Sequence, residues 1–373
     1  MAQSLHLSRE VKVYVEFDSK FWQIPVLGDY SFSQGTNITE VTVAEMADAS
    51  NVSRRGRRAF TDSVAPAEFS FSTYARPYKD GTDHRAVEDV LWALFAGAAN
   101  FDATEASGNI FDNGAATPIT VVNSDTTNCS IDFSGSNKLT FGDANIWFNL
   151  PASSDGGTDL WYKLTGAVLS EASLDFDLDG ITTISWSGQA TSLTDESAPT
   201  LGTLASNSTA IASTSNFIRN RLTQLELTPD SNINGGTAYN LVLTGGSITM
   251  SNNPTFVTPE SLGVVNKPLG HVMGGRSISG SFTCYLDNDS DKSAELMQDL
   301  LNATSQITNN FDMVFKVGGA TADTPRIYFT MDNVHLEVPS HNVEDVISIE
   351  CNFHALPSNI SDTDEVTIDY YGA

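Results

Sequence analysis

One amphipathic helix pattern occurs twice in this 373-residue chain, about 210 residues apart. In 82–97, "TDHRAVEDVLWALFAG", the apolar pairs Ala86/Val87, Val90/Leu91 and Leu94/Phe95 recur every four residues and form one continuous stripe. Thr82 suits the N-cap, Asp83 complements the positive helix end, and Gly97 suits the left-handed position after the last turn. In 290–305, Leu296/Met297 and Leu300/Leu301 repeat the pattern behind Ser290 or Asp289 as cap. A shift of 210 lays Val87, Leu91 and Leu94 over Met297, Leu301 and Thr304.

The segments around the helices match in the same order. "FSFSTY" answers "ISGSFT" at a shift of 209, so that Phe69, Phe71 and Thr73 meet Ile278, Gly280 and Phe282. After each helix come "NIWFNL" and "FDMVFKV", then "WYKLTGAVL" and "IYFTMDNVHL", then "ITTISWSGQATSL" and "DVISIECNFHAL". An ordered set of matches predicts an internal duplication. The first copy covers 1–193 and the second 215–373, its last residues forming a polar C-terminal tail; a Ser/Thr/Ala-rich linker spans 194–214. The extra stretch at 100–142 reads as a β excursion on the surface.

Outside the helices, period-two alternation recurs between turn signals, as in "VKVYVEF" (11–17) and "RIYFTMDNVHLEV" (326–338). The fold class is therefore mainly β: two tandem β-sandwich or barrel domains, each with one packed α-helix. Several strands are long, which suits a sheet extending beyond one subunit.

Charge narrows the function. Nineteen Lys and Arg face 46 Asp and Glu, a formal net charge of −27. Such a surface repels nucleic acid and argues against a basic binding groove. It suits a passage through which a polyanion slides without sticking, and equally a halophilic protein. Cys129, Cys284 and Cys351 show no CxxC spacing and read as free buried thiols. The N-terminus lacks the pattern of a secretory signal, and no apolar run reaches membrane-spanning length, so no membrane insertion is expected. Asn-x-Ser/Thr matches at Asn37, Asn51, Asn207 and Asn302 then carry little meaning.

Enzyme signatures are missing: the sequence has no HExxH, GxSxG, phosphate-binding loop or dinucleotide fingerprint. His271, His335, His341 and His354 match no compact metal set. No catalytic role and no cofactor is expected. The stretch "ASLDFDLDGITTIS" carries Asp175, Asp177, Asp179 and Gly180 at the spacing that opens a calcium loop. The twelfth position, however, is Trp186 rather than a bidentate Glu, and Leu174, Phe176 and Leu178 alternate with the acids as on a strand. Strand and Asp179-Gly180 turn is the preferred reading, with calcium a weak second. Asp287, Asp289 and Asp291 lack a glycine at position six and read as helix-start charge. Arg54, Arg55, Arg57 and Arg58 cluster in a chain poor in arginine. Docking on the acidic face of a neighbouring subunit accounts for them best, ahead of a solvated loop or phosphate contact.

The segment "SRRGRRAFTDSVAPAEFSFSTYARPYKD" (53–80), followed by the helix at 82–97, resembles the tail tube proteins of tailed bacteriophages. That resemblance implies two tail-tube-like domains per chain and self-association into stacked rings, three duplicated chains filling six places around a hollow tube for double-stranded DNA. It further implies long strands lining the tube, helices on its outer side, inter-ring loops around 31–65 and 251–275, and Asp175, Asp177 and Asp179 as candidates for an acidic lumen. Sheath, baseplate and terminator proteins would be the partners, and the virion tail, assembled in the host cytoplasm, the location. Competing readings are a tail terminator or baseplate ring component, and a non-viral β-sandwich binding module or adhesin.

Overall fold

The computed structural model describes residues 5–40, 58–102, 109–115, 117–133, 144–153, 157–202, 204, 211–302, 311–322, 324–343 and 345–372. The fold is mainly β, with two helices long enough to organise a core.

Its main feature is a ribbon of eight consecutively paired antiparallel strands. Ser31–Glu40 lies beside Ala59–Tyr74, then Thr183–Ala190, then Leu160–Phe176. Leu160–Phe176 in turn pairs with Leu243–Ser251, followed by Ser277–Tyr285, Ser348–Ala355 and Ser340–Asn342. The first four strands come from the first half of the chain and the last four from the second, in the same relative order. Lys12–Phe17 and Ala144–Leu150 add to the near part of Leu160–Phe176; Gln224–Pro229 and Phe311–Val317 add to Arg326–Leu336 in the same way. Even a β-bulge recurs: the pairing steps from Ala144↔Ala167 to Ile146↔Leu164, and from Phe311↔Val334 to Met313↔Met331. In both cases the second strand carries one extra residue, which turns it between two sheet directions.

These registers correct the expected offset by two residues. Leu169↔Gly188↔Phe69↔Phe32 occupies the place of Leu336↔Phe353↔Gly280↔Ile248, so Phe69 corresponds to Gly280 and Phe71 to Phe282.

The first helix is Asp89–Ala96, shorter than 82–97. Asp83–Ala86 instead pairs with Pro77–Asp80 in a hairpin whose turn uses Gly81 at φ 65°. Thr82 therefore caps nothing; Glu88 takes the N-cap place without a side-chain cap, while Gly97 closes the helix at φ 99° as the sequence suggested. All eight helical residues are buried, not one stripe, because further strands cover the far side. The second helix is Ser293–Asn302, with Leu296 and Leu300 buried but Leu301 59% exposed.

The C-terminal segment is not a polar tail. Thr367–Tyr371 is a strand inserted between Cys129–Asp132 and Arg326–Leu336, with Ile368 and Tyr370 fully buried. By the same pairing, the 100–142 excursion is β structure but not superficial: Phe111, Val122, Cys129 and Ile131 are inaccessible to solvent. Described parts of the 194–214 linker also adhere to the molecule. Ser192–Glu196 pairs with residues 161–165, and Leu201 and Leu204 pack on Tyr14, Phe21, Trp147 and Trp161.

A buried polar network fixes the first helix to the C-terminal strand. Tyr370 donates to Glu88 Oε1 at 2.6 Å, Trp92 Nε1 donates to the Tyr370 hydroxyl at 2.7 Å, and the Arg76 N–H donates to Glu88 Oε1 at 3.1 Å. Burial raises the Glu88 carboxyl to about 7. Asn252 ties in the second half by donating to the Phe95 carbonyl at 2.9 Å.

Candidate functional site: a hydroxyl-rich sheet face

The two faces of the eight-strand ribbon have opposite chemistry, and strand alternation makes them so. Inward-pointing residues such as Phe71, Leu174, Ile184, Trp186, Ile248, Phe282 and Phe353 form the core, and the first helix lies on this side, Trp92 meeting Trp186 edge-on at 4.7 Å. The other face is hydroxyl-bearing and acidic. Register aligns its residues in cross-strand rows. Ser72, Ser185, Ser173, Thr249, Ser279 and His354 form one; Tyr74, Thr183, Asp175, Ser247, Ser281 and Asn352 form another.

Within the rows, hydroxyls satisfy one another. Ser31 and Ser70 lie 2.8 Å apart, and Ser247 and Ser281, at the corresponding place in the second half, 3.5 Å. Ser72 donates to Asp29 at 2.9 Å and Ser251 to Glu171 at 3.3 Å. Glu68, Glu171, Asp175 and Glu350 supply the charge, and no position of this face on the eight strands holds a lysine or arginine. Short hydroxyl side chains interspersed with carboxylates leave this face without a lysine or arginine to hold a phosphate.

The three aspartates singled out by sequence separate here. Asp175 stands on this face between Thr183 and Ser247. Asp177 lies beyond the strand end, and Asp179 accepts from exposed Arg221 at 3.2 Å beside Gly180, whose φ is 113°. Leu178, expected to face the core, is 52% exposed because the strand has ended. Among the described residues no group of three or more His, Cys, Asp or Glu is placed to hold a metal ion. Glu68, Glu171 and Glu350 were not singled out by sequence; the signal for them is the Ser/Thr alternation of "SFSTY", "ISWSG" and "SISGSFT", which marks the whole face rather than any acid on it.

Arg54, Arg55 and Arg57 lie outside the described residues; Arg58 is exposed at the start of Ala59–Tyr74. That strand extends past the ribbon as an arm with Ser31–Glu40, and a second hairpin, Pro254–Val257 with Gly270–Met273, lies against it. The Val64 N–H donates to Asn266 O at 2.8 Å, and the Asn266 N–H returns to Asp62 O at 3.1 Å. Phe60 on the arm and Leu262, Val264 and Leu269 in the connection of the second hairpin are exposed. All three cysteines are free and buried, and burial raises their thiols, Cys284 and Cys351 to about 12. Among the described residues, no helix is long and apolar enough to cross a membrane.

Comparison with known proteins gives the family. A model of the phage tail tube protein family matches residues 91–355. The tail tube protein pb6 of Escherichia phage T5 is 28% identical over 376 residues, covering 97% of this chain and 75% of that protein. The chain belongs to the phage tail tube protein family and is a structural protein of the phage tail.

Proposed function

We propose that three copies of this chain close into a ring of six equivalent places and that the rings stack into a hollow tube for the passage of double-stranded DNA. The ribbon carries this reading: four strands from each half follow one order and turn one cation-free face to the same side. On this reading the chain is duplicated, with one tube-building domain over 1–193, a linker over 194–214 and a second domain over 215–373. Ring growth by repetition of one contact is the economical use of such a duplication.

The hydroxyl-rich face lines the channel, where Asp175, with Asp177 and Asp179 past the strand end, keeps DNA off the wall by like-charge repulsion. Arg54, Arg55, Arg57 and Arg58 meet the acidic surface of a neighbouring subunit and set its register more than its affinity. The arms around 31–65 and 251–275 bridge successive rings. Assembly takes place in the host cytoplasm, and sheath, baseplate and terminator proteins contact the exterior and ends of the tube.

Electron microscopy of the purified protein tests the reading. Hollow tubes or stackable rings are expected. A single finite ring that never stacks would favour a terminator or baseplate role, and uniform monomers with calcium-dependent sugar binding would overturn it in favour of an adhesin.

A further inference from the structure

The strand Thr367–Tyr371 joins two parts of the molecule that do not otherwise pair. It runs between Cys129–Asp132 and Arg326–Thr330, with Ile368 opposite Ile131 on one side and Phe329 on the other. Among the described residues, those two neighbours share no ladder with each other. The first half has a strand in the same place, since Ser192–Glu196 pairs with residues 161–165 of the corresponding long strand. The tethers differ. Thr191 alone separates Ser192–Glu196 from its ribbon strand, Thr183–Ala190, whereas residues 356–366 separate Thr367–Tyr371 from Ser348–Ala355. A tether of that length reaches roughly 35 Å when extended, so the strand can leave its slot without disturbing the ribbon.

The slot fits this segment closely. Ile368 and Tyr370 are fully buried and Val366 is 1% exposed. Tyr370 donates to Glu88 and accepts from Trp92 Nε1, so an empty slot takes a donor from a buried carboxyl and leaves a buried indole N–H without its acceptor. Beyond the strand, the Gly372 N–H donates to His84 Nδ1 at 2.7 Å, and a β-carbon on Gly372 would lie 2.9 Å from the Tyr78 carbonyl oxygen. Ahead of it, Glu365 meets Arg276 at 3.4 Å with side chains 10% and 7% exposed. Arg276 lies 4.1 Å over the Phe133 ring, and Thr363 donates to Phe133 O at 2.9 Å. These ties reach the first half through Tyr78, His84 and Phe133 and the second through Arg276.

We propose that residues 363–372 are a latch that seats as one unit on an otherwise formed body, and that the chain enters a ring only with the latch seated. Seating follows from the slot itself, whereas the requirement for ring entry rests on the ring reading above. Every partner of the latch precedes it in the sequence, so the body can form first. The link to the ribbon is short: Tyr370 holds Trp92, Trp92 meets Trp186 edge-on at 4.7 Å, and Trp186 belongs to Thr183–Ala190. An unseated latch therefore loosens the helix behind the ribbon and bares the edges of Cys129–Asp132 and Arg326–Thr330, which invites indiscriminate pairing.

A protease site inserted after Ile360, which is 100% exposed, tests the latch without asking a truncated chain to fold. Cutting the folded protein leaves residues 361–373 held non-covalently, and gel filtration in mild urea should strip them from the body. A labelled synthetic 361–373 peptide should bind the stripped body saturably, and a Tyr370→Phe peptide about tenfold more weakly. The stripped body should form no rings or tubes in electron micrographs, and the peptide should restore them. Release of the piece only together with global unfolding, or a Tyr370→Phe peptide that binds as tightly as the parent, would overturn the latch. A stripped body that assembles as the parent does would overturn its control of ring entry. Uncut protein that never assembles would overturn the ring reading, while peptide binding still decides the seating. Hydrogen exchange on uncut protein gives a second readout: amides of 367–371 and 129–132 should exchange together and at least tenfold faster than those of 183–190, and exchange of all three only on global unfolding would likewise overturn the latch.

Discussion

The ring of Phe69 fills the space that a β-carbon on Gly188 would occupy, and Val168 O closes the same space from the other side. In the second half the pair is exchanged between strands. Gly280 stands at the register of Phe69, and Phe353, at the register of Gly188, covers it with Cζ 2.7 Å from where a β-carbon would be. Each half thus places one aromatic ring over one cross-strand glycine, an arrangement that pins register. Gly188→Ala should cost roughly 1–3 kcal/mol by overpacking. Adding Phe69→Ala should not restore stability, because the Val168 carbonyl is backbone and stays. Urea unfolding of the unassembled chain measures both, and a neutral Gly188→Ala would refute the packing account.

That exchange also explains what the sequence could and could not reveal. Alternation located the long strands and the shared order of the halves. With glycine and phenylalanine traded across a ladder, however, residue likeness at 69 and 280 is lost, and the apparent shift slid by two, the smallest error that keeps each side chain on its face. Other misses have a common cause in long-range pairing. The C-terminal strand looked polar because it alternates, yet Ile368 and Tyr370 are core only once Cys129–Asp132 and Arg326–Leu336 flank it. The aspartates of 175–179 drew notice through a local motif, whereas the face that Asp175 joins is assembled from strands scattered between residues 31 and 354.

Glu88 makes stability depend on pH. Its carboxyl titrates at an ordinary value of 4.5 in the unfolded chain and at about 7 when buried, so between these values the folded form binds more protons. Stability therefore falls as pH rises through that window, by roughly 3 kcal/mol from this group. Glu88→Gln keeps an acceptor for Tyr370 and removes the titration. Its stability relative to the parent should improve from pH 5 to pH 8, as read by denaturant midpoints; a difference that is constant across the range would show that Glu88 is already ionised in the fold.

Arg85 and Asp89 form an ion pair at 2.7 Å with side chains 1% and 0% exposed. Burial raises the Asp89 carboxyl, and the Arg85 charge opposes that shift. Asp89→Ala leaves the guanidinium without its closest counter-charge and should cost about 3–5 kcal/mol, whereas Arg85→Met with Asp89→Leu should recover most of the loss. Thermal melts of the two variants check this, and equal losses in the single and the double variant would contradict it.

The cation-free face makes the most direct prediction about DNA passage. Ser185 and Ser281 sit on that face in different rows and different halves, so lysines at both positions avoid facing each other across a ladder. Their hydroxyl contacts, to Ser72 at 3.3 Å and to Ser247 at 3.5 Å, are long, and losing them should leave folding and tube formation intact. On the proposed reading of this face as the channel wall, a lysine there would attract DNA phosphates, and the attraction is screened over about 8–10 Å at physiological salt. Virions complemented with Ser185→Lys/Ser281→Lys should eject DNA more slowly than the parent at low ionic strength, with the gap closing as salt rises. Glutamine at the same positions separates charge from bulk and should leave the rate unchanged. Ejection at the parental rate in every salt, from particles with intact tubes, would mean that this face does not meet the DNA.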